Sequence, residues 1–183
     1  MRKIIAAINM SLDGYCDHTT MTADEAIHRH YADLLRGADA ILYGRTTYHL
    51  MEYWPTVVQT PTGNPAIDDF ALVMDAIPKI VFSTTLQDIE WDSARLANRP
   101  FAEVVKELKQ QPGRDVLIGS RSLIIAGMNL NLIDEYQICI HPVVVHEGLP
   151  LFDAVDARKE LRLVKTKTFG AGAILLYYQP KDQ

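Results

Sequence analysis

Two short strings in this chain each combine a glycine, an arginine and hydroxyl side chains: Gly44-Arg45-Thr46-Thr47 and Gly119-Ser120-Arg121-Ser122. That mixture suits the binding of an anion. Glycine lets a phosphate approach the backbone, arginine offers a fixed positive fork, and the hydroxyls add donors. Each string alone is also a way to turn from a strand into a helix and cap it. Two of them in one chain match a ligand with several phosphates, and a dinucleotide is such a ligand. A third hydroxyl cluster, Ser83-Thr84-Thr85, ends an apolar stretch. It suits either a ribose phosphate or an ordinary strand end with its turn.

Three carboxylates stand where a proton could be needed. Asp13 precedes Gly14 in a loop, and Asp24 and Glu25 stand at the start of a helical pattern. Each has a structural reading beside the chemical one, since Asp-Gly is a turn and acidic residues favour a first helical turn. Asp13 is the foremost proton-donor candidate, and Asp13→Asn is expected to lower turnover far more than cofactor affinity.

Other chemistries find no support. His28 and His30 are two apart on a helix and so point away from each other, which is wrong for a shared metal; no metal site is expected. The two cysteines, Cys16 and Cys139, lack metal-ligand spacing and read as reduced thiols, Cys139 as a small core residue and Cys16 as one exposed after a turn. No GxSxG elbow is present for a hydrolase. The net charge of −5 and the scattered Lys and Arg residues disfavour nucleic acid as a partner. The apolar run after Met1-Arg2-Lys3 ends too early for a signal peptide, and no run approaches the roughly 20 residues of a membrane span. A cytoplasmic protein that does not bind membranes is expected.

The 183 residues, 48% hydrophobic and 22% charged, are enough for one domain with one core, taken as residues 1–183. Lys3 to Ile8 reads as a central strand buried on both faces. After a loop from Asn9 to Met21, Thr22-Ala23-Asp24-Glu25 has capping-box spacing, and a helix with Ile27, Tyr31, Leu34 and Leu35 runs to Gly37. Ala38 to Tyr43 is the second strand, followed by a helix over Thr46 to Tyr53. Trp54-Pro55 is read as its breaker, with loop to Pro65, then a helix over Ile67 to Asp75. Trp54 is either a wall of the pocket or a buried anchor. Lys79 to Ser83 is a strand, Pro100 opens a helix with Phe101, Val104, Val105 and Leu108 inward, and Asp115 to Ile118 is the next strand. A short helix then ends near Asn129. From Glu135 onward, strands at 135–140, 161–164 and 173–178 follow without helices. The pattern predicts a three-layer α/β/α domain whose mostly parallel sheet finishes in antiparallel strands.

In this order the motifs suggest a family. Ile8-Asn9-Met10-Ser11-Leu12-Asp13-Gly14 resembles the opening of the reductase domain of bacterial riboflavin biosynthesis enzymes (the RibD C-terminal domain), which has the dihydrofolate reductase-like fold. Gly44-Arg45-Thr46-Thr47-Tyr48 is similar to the superfamily's cofactor motif, and Lys79-Ile80-Val81-Phe82-Ser83 to its strand leading to the adenosine phosphate. Val116-Leu117-Ile118-Gly119-Ser120 through Leu123 resembles its second glycine motif. Leu132-Ile133-Asp134-Glu135-Tyr136, with Pro142, Gly148, Leu151 and Phe152, resembles its C-terminal signature.

The resemblance implies a reductase taking hydride from NADPH, with Gly44, Arg45, Thr46 and Thr47 at the phosphates. It puts Gly119, Ser120, Arg121, Ser122 and Leu123 on the pyrophosphate and nicotinamide side, and Ser83 and Thr84 on the adenosine side. Ala7 and the Asp13-Gly14 turn fall by the nicotinamide. A homodimer and a small pyrimidine-, pterin- or flavin-precursor-like substrate, such as 5-amino-6-(5-phosphoribosylamino)uracil, follow as expectations. Two positions depart from the pattern: Ser120 and His146 stand where glycine is usual. A nucleotide-binding module of the same fold without catalysis is the rival reading.

Overall fold

In the computed structural model, which describes residues 2–181, the chain alternates strands and helices and then ends in strands alone. The order is β1 (Ile4–Ser11), α1 (Glu25–Arg36), β2 (Ala38–Gly44), α2 (Arg45–Met51), α3 (Tyr53–Gln59), α4 (Pro65–Ala76), β3 (Lys79–Phe82) and β4 (Ala94–Leu96). It continues with α5 (Phe101–Gln110), β5 (Asp115–Ile118), α6 (Arg121–Asn129), β6 (Glu135–His141), β7 (Leu161–Thr168) and β8 (Ile174–Pro180). All eight strands join one sheet in the order β4-β3-β2-β5-β1-β6-β8-β7. Pairings from β4 across to β6 are parallel, and β8 pairs antiparallel with both β6 and β7.

Helices cover both faces. Val104 and Val105 of α5 and Leu123, Ile124 and Met128 of α6 pack on Ile4, Ala6, Leu42 and Val116. Ala32 and Leu35 of α1, Tyr48 of α2 and Phe70 and Met74 of α4 pack on Ile5, Ile41, Val81 and Leu117. Residues alternating along each central strand thus feed two apolar layers, which is why those strands read as unbroken apolar runs. This is the three-layer α/β/α arrangement the pattern predicts. No helix among the described residues is long and apolar enough to cross a membrane.

Four local readings need correction. The N-cap of α1 is Asp24, two residues beyond the expected start: its Oδ1 accepts from the Ile27 N–H at 2.8 Å, which a cap carboxylate does well. Pro55 does not break a helix but lies in the first turn of α3, where its missing N–H would have had no helical partner. Helix α4 starts two residues earlier than expected because Asn64 Oδ1 caps the Ala66 and Ile67 N–H groups and Pro65 follows it. Strand β4 is three residues long with no periodicity to betray it.

What fastens β4 is Lys79, buried to 1% exposure at the start of β3. Its Nζ donates to the Asp75 and Ile77 carbonyls at 3.2 and 2.8 Å and to Ser93 Oγ at 2.8 Å, and it lies 3.8 Å over the Trp91 ring. Burial pulls its pKa down to about 7. These contacts satisfy the ammonium inside the fold and tie the 91–93 segment to the end of α4.

Candidate functional site

The sheet contains a built-in gap. Strand β1 pairs with β5 only through Ile4, Ile5 and Ala6, because β5 stops at Ile118, whereas its ladder with β6 runs on to Ser11. From Ala7 onward β1 therefore has a strand neighbour on one side only. Residues Ala7, Ile8 and Asn9 are half-buried in a strand whose other residues are buried. The opening lies beyond the carboxyl ends of the parallel strands, where α/β sheets hold ligands.

Both glycine junctions meet at this gap. Ser120 Oγ, in a side chain 2% exposed, accepts from the Gly44 N–H at 3.1 Å and from Thr47 Oγ1 at 3.0 Å. Residues 76 apart in sequence are thereby fastened together. Ser120 adopts ordinary extended backbone (φ −121°, ψ 125°), so serine fits where the family usually has glycine. Gly44 is required by space: a Cβ there would come within 3.0 Å of Ser122 Oγ and 3.1 Å of Ser120 Oγ. A Cβ on Gly119 would likewise meet Tyr43 Cε1 at 3.0 Å and Ile41 Cδ1 at 3.2 Å. Thr46 and Ser122 are exposed beside these contacts, and Thr47 is half-buried.

From Arg45 a cleft of about 780 Å³ extends along the ends of β2 and β3 to the start of α5, lined by Ser83, Thr84, Thr85, Asn98 and Arg99 among others. Arg45 Nη1 donates to Thr85 Oγ1 at 2.7 Å, and no carboxylate neutralises it among the described residues. Arg99, on the opposite wall, is paired with Glu107. Ser83 Oγ caps the turn, accepting from the Thr85 and Leu86 N–H groups at 3.2 and 2.9 Å, which leaves Thr84 exposed along the wall. An unneutralised guanidinium with the exposed hydroxyls of Thr46, Thr84 and Ser122 forms a donor set that fits a phosphorylated dinucleotide such as NADPH.

Two expected cofactor residues are placed differently. Arg121 spends its guanidinium on the Pro150 carbonyl, with Nε at 2.6 Å, and on Asp153, so it is a tie to the 149–153 segment and not a free cation. Leu123 lies in the apolar layer beneath α6, so its side chain packs the core. Ala7 lines the gap in β1, and Gly14 (φ +95°) makes the turn beside it, its carbonyl accepting from the Leu151 N–H at 2.9 Å.

The carboxylates also separate. Asp13 accepts from Ser11 Oγ at 2.7 Å, from the His146 N–H at 2.9 Å and from the Val145 N–H at 3.2 Å. The Ser11 hydroxyl, followed by those backbone donors, holds its pKa below the usual carboxylate value. Those contacts favour the ionised carboxylate, so the structure gives Asp13 the part of a latch between two loops beside its expected role as proton donor. Glu25 is exposed and engaged with Arg29 at 2.6 Å and Asn64 Nδ2 at 3.2 Å, away from the gap. Asp24, half-buried, accepts from Ile27 N and from Ala171 N at 3.3 Å, and its charge reaches His141.

Beside Ala7 the structure assembles a polar group that sequence reasoning missed. Asn9 Oδ1 lies 3.1 Å from the Tyr31 hydroxyl and 3.0 Å from His141 Nε2. Asn9 was hidden at the end of an apolar run, and His141 had no visible partner because it stands one strand away, opposite Ser11. The polar residue closing a central strand was the available signal. Trp54 is a packing anchor, edge-on to Phe70 with ring centroids 4.6 Å apart. His28 and His30 do point apart, His28 toward Trp54 and Phe70, His30 toward Phe169 and Tyr177.

Known proteins are similar to this chain in sequence and in fold. YyaP of Bacillus subtilis (strain 168) is 34% identical over 181 residues, covering 97% of this chain and 94% of that protein. YwjB of the same organism is 30% identical over 188 residues, covering 97% of each. Among solved structures, a Shewanella sp. PV-4 protein named for riboflavin biosynthesis superposes over 100% of both chains with a TM-score of 0.72 and 19% identity. The Thermotoga maritima diaminohydroxyphosphoribosylaminopyrimidine deaminase/5-amino-6-(5-phosphoribosylamino)uracil reductase matches with a TM-score of 0.67 and 14% identity, the chain spanning 57% of that protein. These structural likenesses carry the dihydrofolate reductase-like fold. The RibD C-terminal domain pattern matches residues 2–175, and with that span and the strand-end junctions described above, the chain belongs to the RibD C-terminal domain family.

Proposed function

We propose that the protein is an NADPH-dependent reductase of a small conjugated substrate. The observation that carries this reading is Arg45: a guanidinium at the mouth of a large cleft, aimed by a threonine hydroxyl instead of being neutralised by a carboxylate. Seven other arginines of the described chain are paired with Asp or Glu. A cation left unneutralised beside hydroxyls is suited to a phosphate monoester.

Bound NADPH supplies a hydride. The chain's own residues bind and orient it. Arg45, Thr84 and Thr85 would hold the ribose phosphate, while the exposed hydroxyls of Thr46 and Ser122 would donate to the pyrophosphate. Ser120 sets the spacing of the two glycine junctions. On the other side of the gap, Asp13 fastens the loop after β1 to the loop after β6.

The test is calorimetric titration of NADPH and NADH into wild type and Arg45→Ala. Loss of a charge-assisted phosphate contact costs on the order of 1.5–3 kcal/mol, or about ten- to a hundredfold in affinity. That loss is expected for NADPH alone. Equal wild-type affinity for the two cofactors refutes the phosphate assignment, and an equal loss for both in the mutant moves Arg45 to the pyrophosphate.

A second reading, a nucleotide-binding module without turnover, draws on Asp13, whose carboxyl is held ionised. Cofactor oxidation against flavin precursors, pterins and quinones separates the two. Binding without turnover on every compound favours the module.

A further inference from the structure

Asn9 sits where the covering layers of a central strand part. It is half-buried between buried Ala6 and buried Met10, on the stretch of β1 that has no strand neighbour toward β2. Ala7, on the same face two residues earlier, borders the same opening.

The two ends of the Asn9 amide are treated differently. Its oxygen is held by two donors, the Tyr31 hydroxyl at 3.1 Å and His141 Nε2 at 3.0 Å. Burial keeps the Tyr31 phenol protonated, and burial also favours the neutral imidazole of His141, a residue 4% exposed. A neutral imidazole has one N–H, and this contact puts it on Nε2. Two donors converging on one oxygen fix the plane of the amide. Its nitrogen has no hydrogen-bond partner among the described residues and is not sealed from solvent. Two N–H groups are therefore held in place at the opening with no acceptor for them among the described residues.

We propose that Asn9 selects the substrate by donating an Nδ2 N–H to a ring carbonyl oxygen, with Tyr31 and His141 as positioning residues that hold the amide. This rests on the reductase reading above. The ligand group must be an acceptor, because only donors are offered. It should not be an anion, because the cluster holding Asn9, an amide, a phenol and a neutral imidazole, contains no cation, and the charge of Asp24 reaches His141. A conjugated lactam or dione ring supplies such an oxygen, whereas an amino-substituted ring presents donors and meets donor against donor.

The test uses matched fluorescent bicyclic probes, pteridine-2,4-dione and 2,4-diaminopteridine, titrated at about pH 7, where both rings are mainly uncharged, into protein saturated with NADPH. Wild type is expected to bind the dione about tenfold more tightly, the size of one hydrogen bond gained against one donor left facing a donor. Asn9→Asp, which accepts where asparagine donates, should reverse the preference, and Asn9→Leu should abolish it. Tyr31→Phe should reduce it to about threefold while the NADPH affinity stays within twofold of wild type. A readout independent of variants is the pair of Asn9 Nδ2 proton resonances, which should shift on adding the dione to wild type. An unaltered preference in Asn9→Asp, a wild-type preference for the diamine, or no binding of either ring to NADPH-saturated protein overturns the proposal. Failure of NADPH to bind at all is read in the preceding titration and overturns the reductase reading instead.

Discussion

Removing the Ser120 hydroxyl tests whether the two glycine junctions are one structural unit. In Ser120→Ala the Gly44 N–H loses its acceptor at 3.1 Å in a buried site, while the half-buried Thr47 hydroxyl can turn to solvent. An unsatisfied buried N–H costs about 1–3 kcal/mol. For a domain of this size each kcal/mol moves Tm by roughly 2–4 °C, so a fall of roughly 2–12 °C is expected in a thermal melt. NADPH affinity should drop about fivefold as well, equivalent to about 1 kcal/mol of lost preorganisation between the junctions. Thr47→Val alone should cost less. The double variant should be no worse than Ser120→Ala, because both changes remove donors or acceptors from one shared oxygen. A Tm for Ser120→Ala within 1 °C of wild type, or effects that simply add, refutes the reasoning.

Asp13→Asn should raise hydrogen exchange at the Val145 and His146 amides, since an amide cannot accept at all the positions the carboxylate serves; loss of a pH-dependent limb of kcat with unchanged exchange would mark Asp13 as the acid. His30 has its pKa lowered to about 4 by burial, from an ordinary 6.5. Its neutral form therefore stabilises the fold fully above pH 6.5, and that contribution is lost as pH falls from 6.5 toward 4. His30→Phe should narrow the fall of Tm across that window, and parallel Tm curves for variant and wild type would show that His30 does not titrate there.

Much of this site was legible because its parts are local. Strand, glycine, then helix fixes each junction within a few residues, and the apolar strand before Ser83 locates the end of the cleft. What joins the parts was not legible. Ser120 reaches Gly44 across 76 residues, and Asp13 reaches His146 across 133. Arg121 looked like a free cation because Asp153, which binds it, lies 32 residues away in a loop with no pattern of its own. Asn9 carried no signal stronger than a polar residue ending an apolar strand, since its partners come from α1 and β6.

The two ends of the crevice are also built by different means. At the Arg45 end, exposed side chains on the ends of β2 and β3 present charge and hydroxyls, and short motifs suffice to encode them. At the other end two loops are laced together: Leu12 N–H to the Val143 carbonyl at 2.8 Å, Cys16 N–H to Leu149 at 2.9 Å, a bridge from Tyr15 to Pro150, and Asp13 on the Val145 and His146 amides. His146 has φ +71°, the left-handed region that favours the glycine usual at this position, and the strain of a side chain there is of order 1–2 kcal/mol. The lacing that Asp13 completes is what holds that conformation. A residue kept in place against its own backbone preference marks where this chain has departed from its family. It lies on the rim at the Asp13 end of the crevice, not the Arg45 end. Contacts of this kind, between segments distant in the chain, are the features that short motifs do not carry.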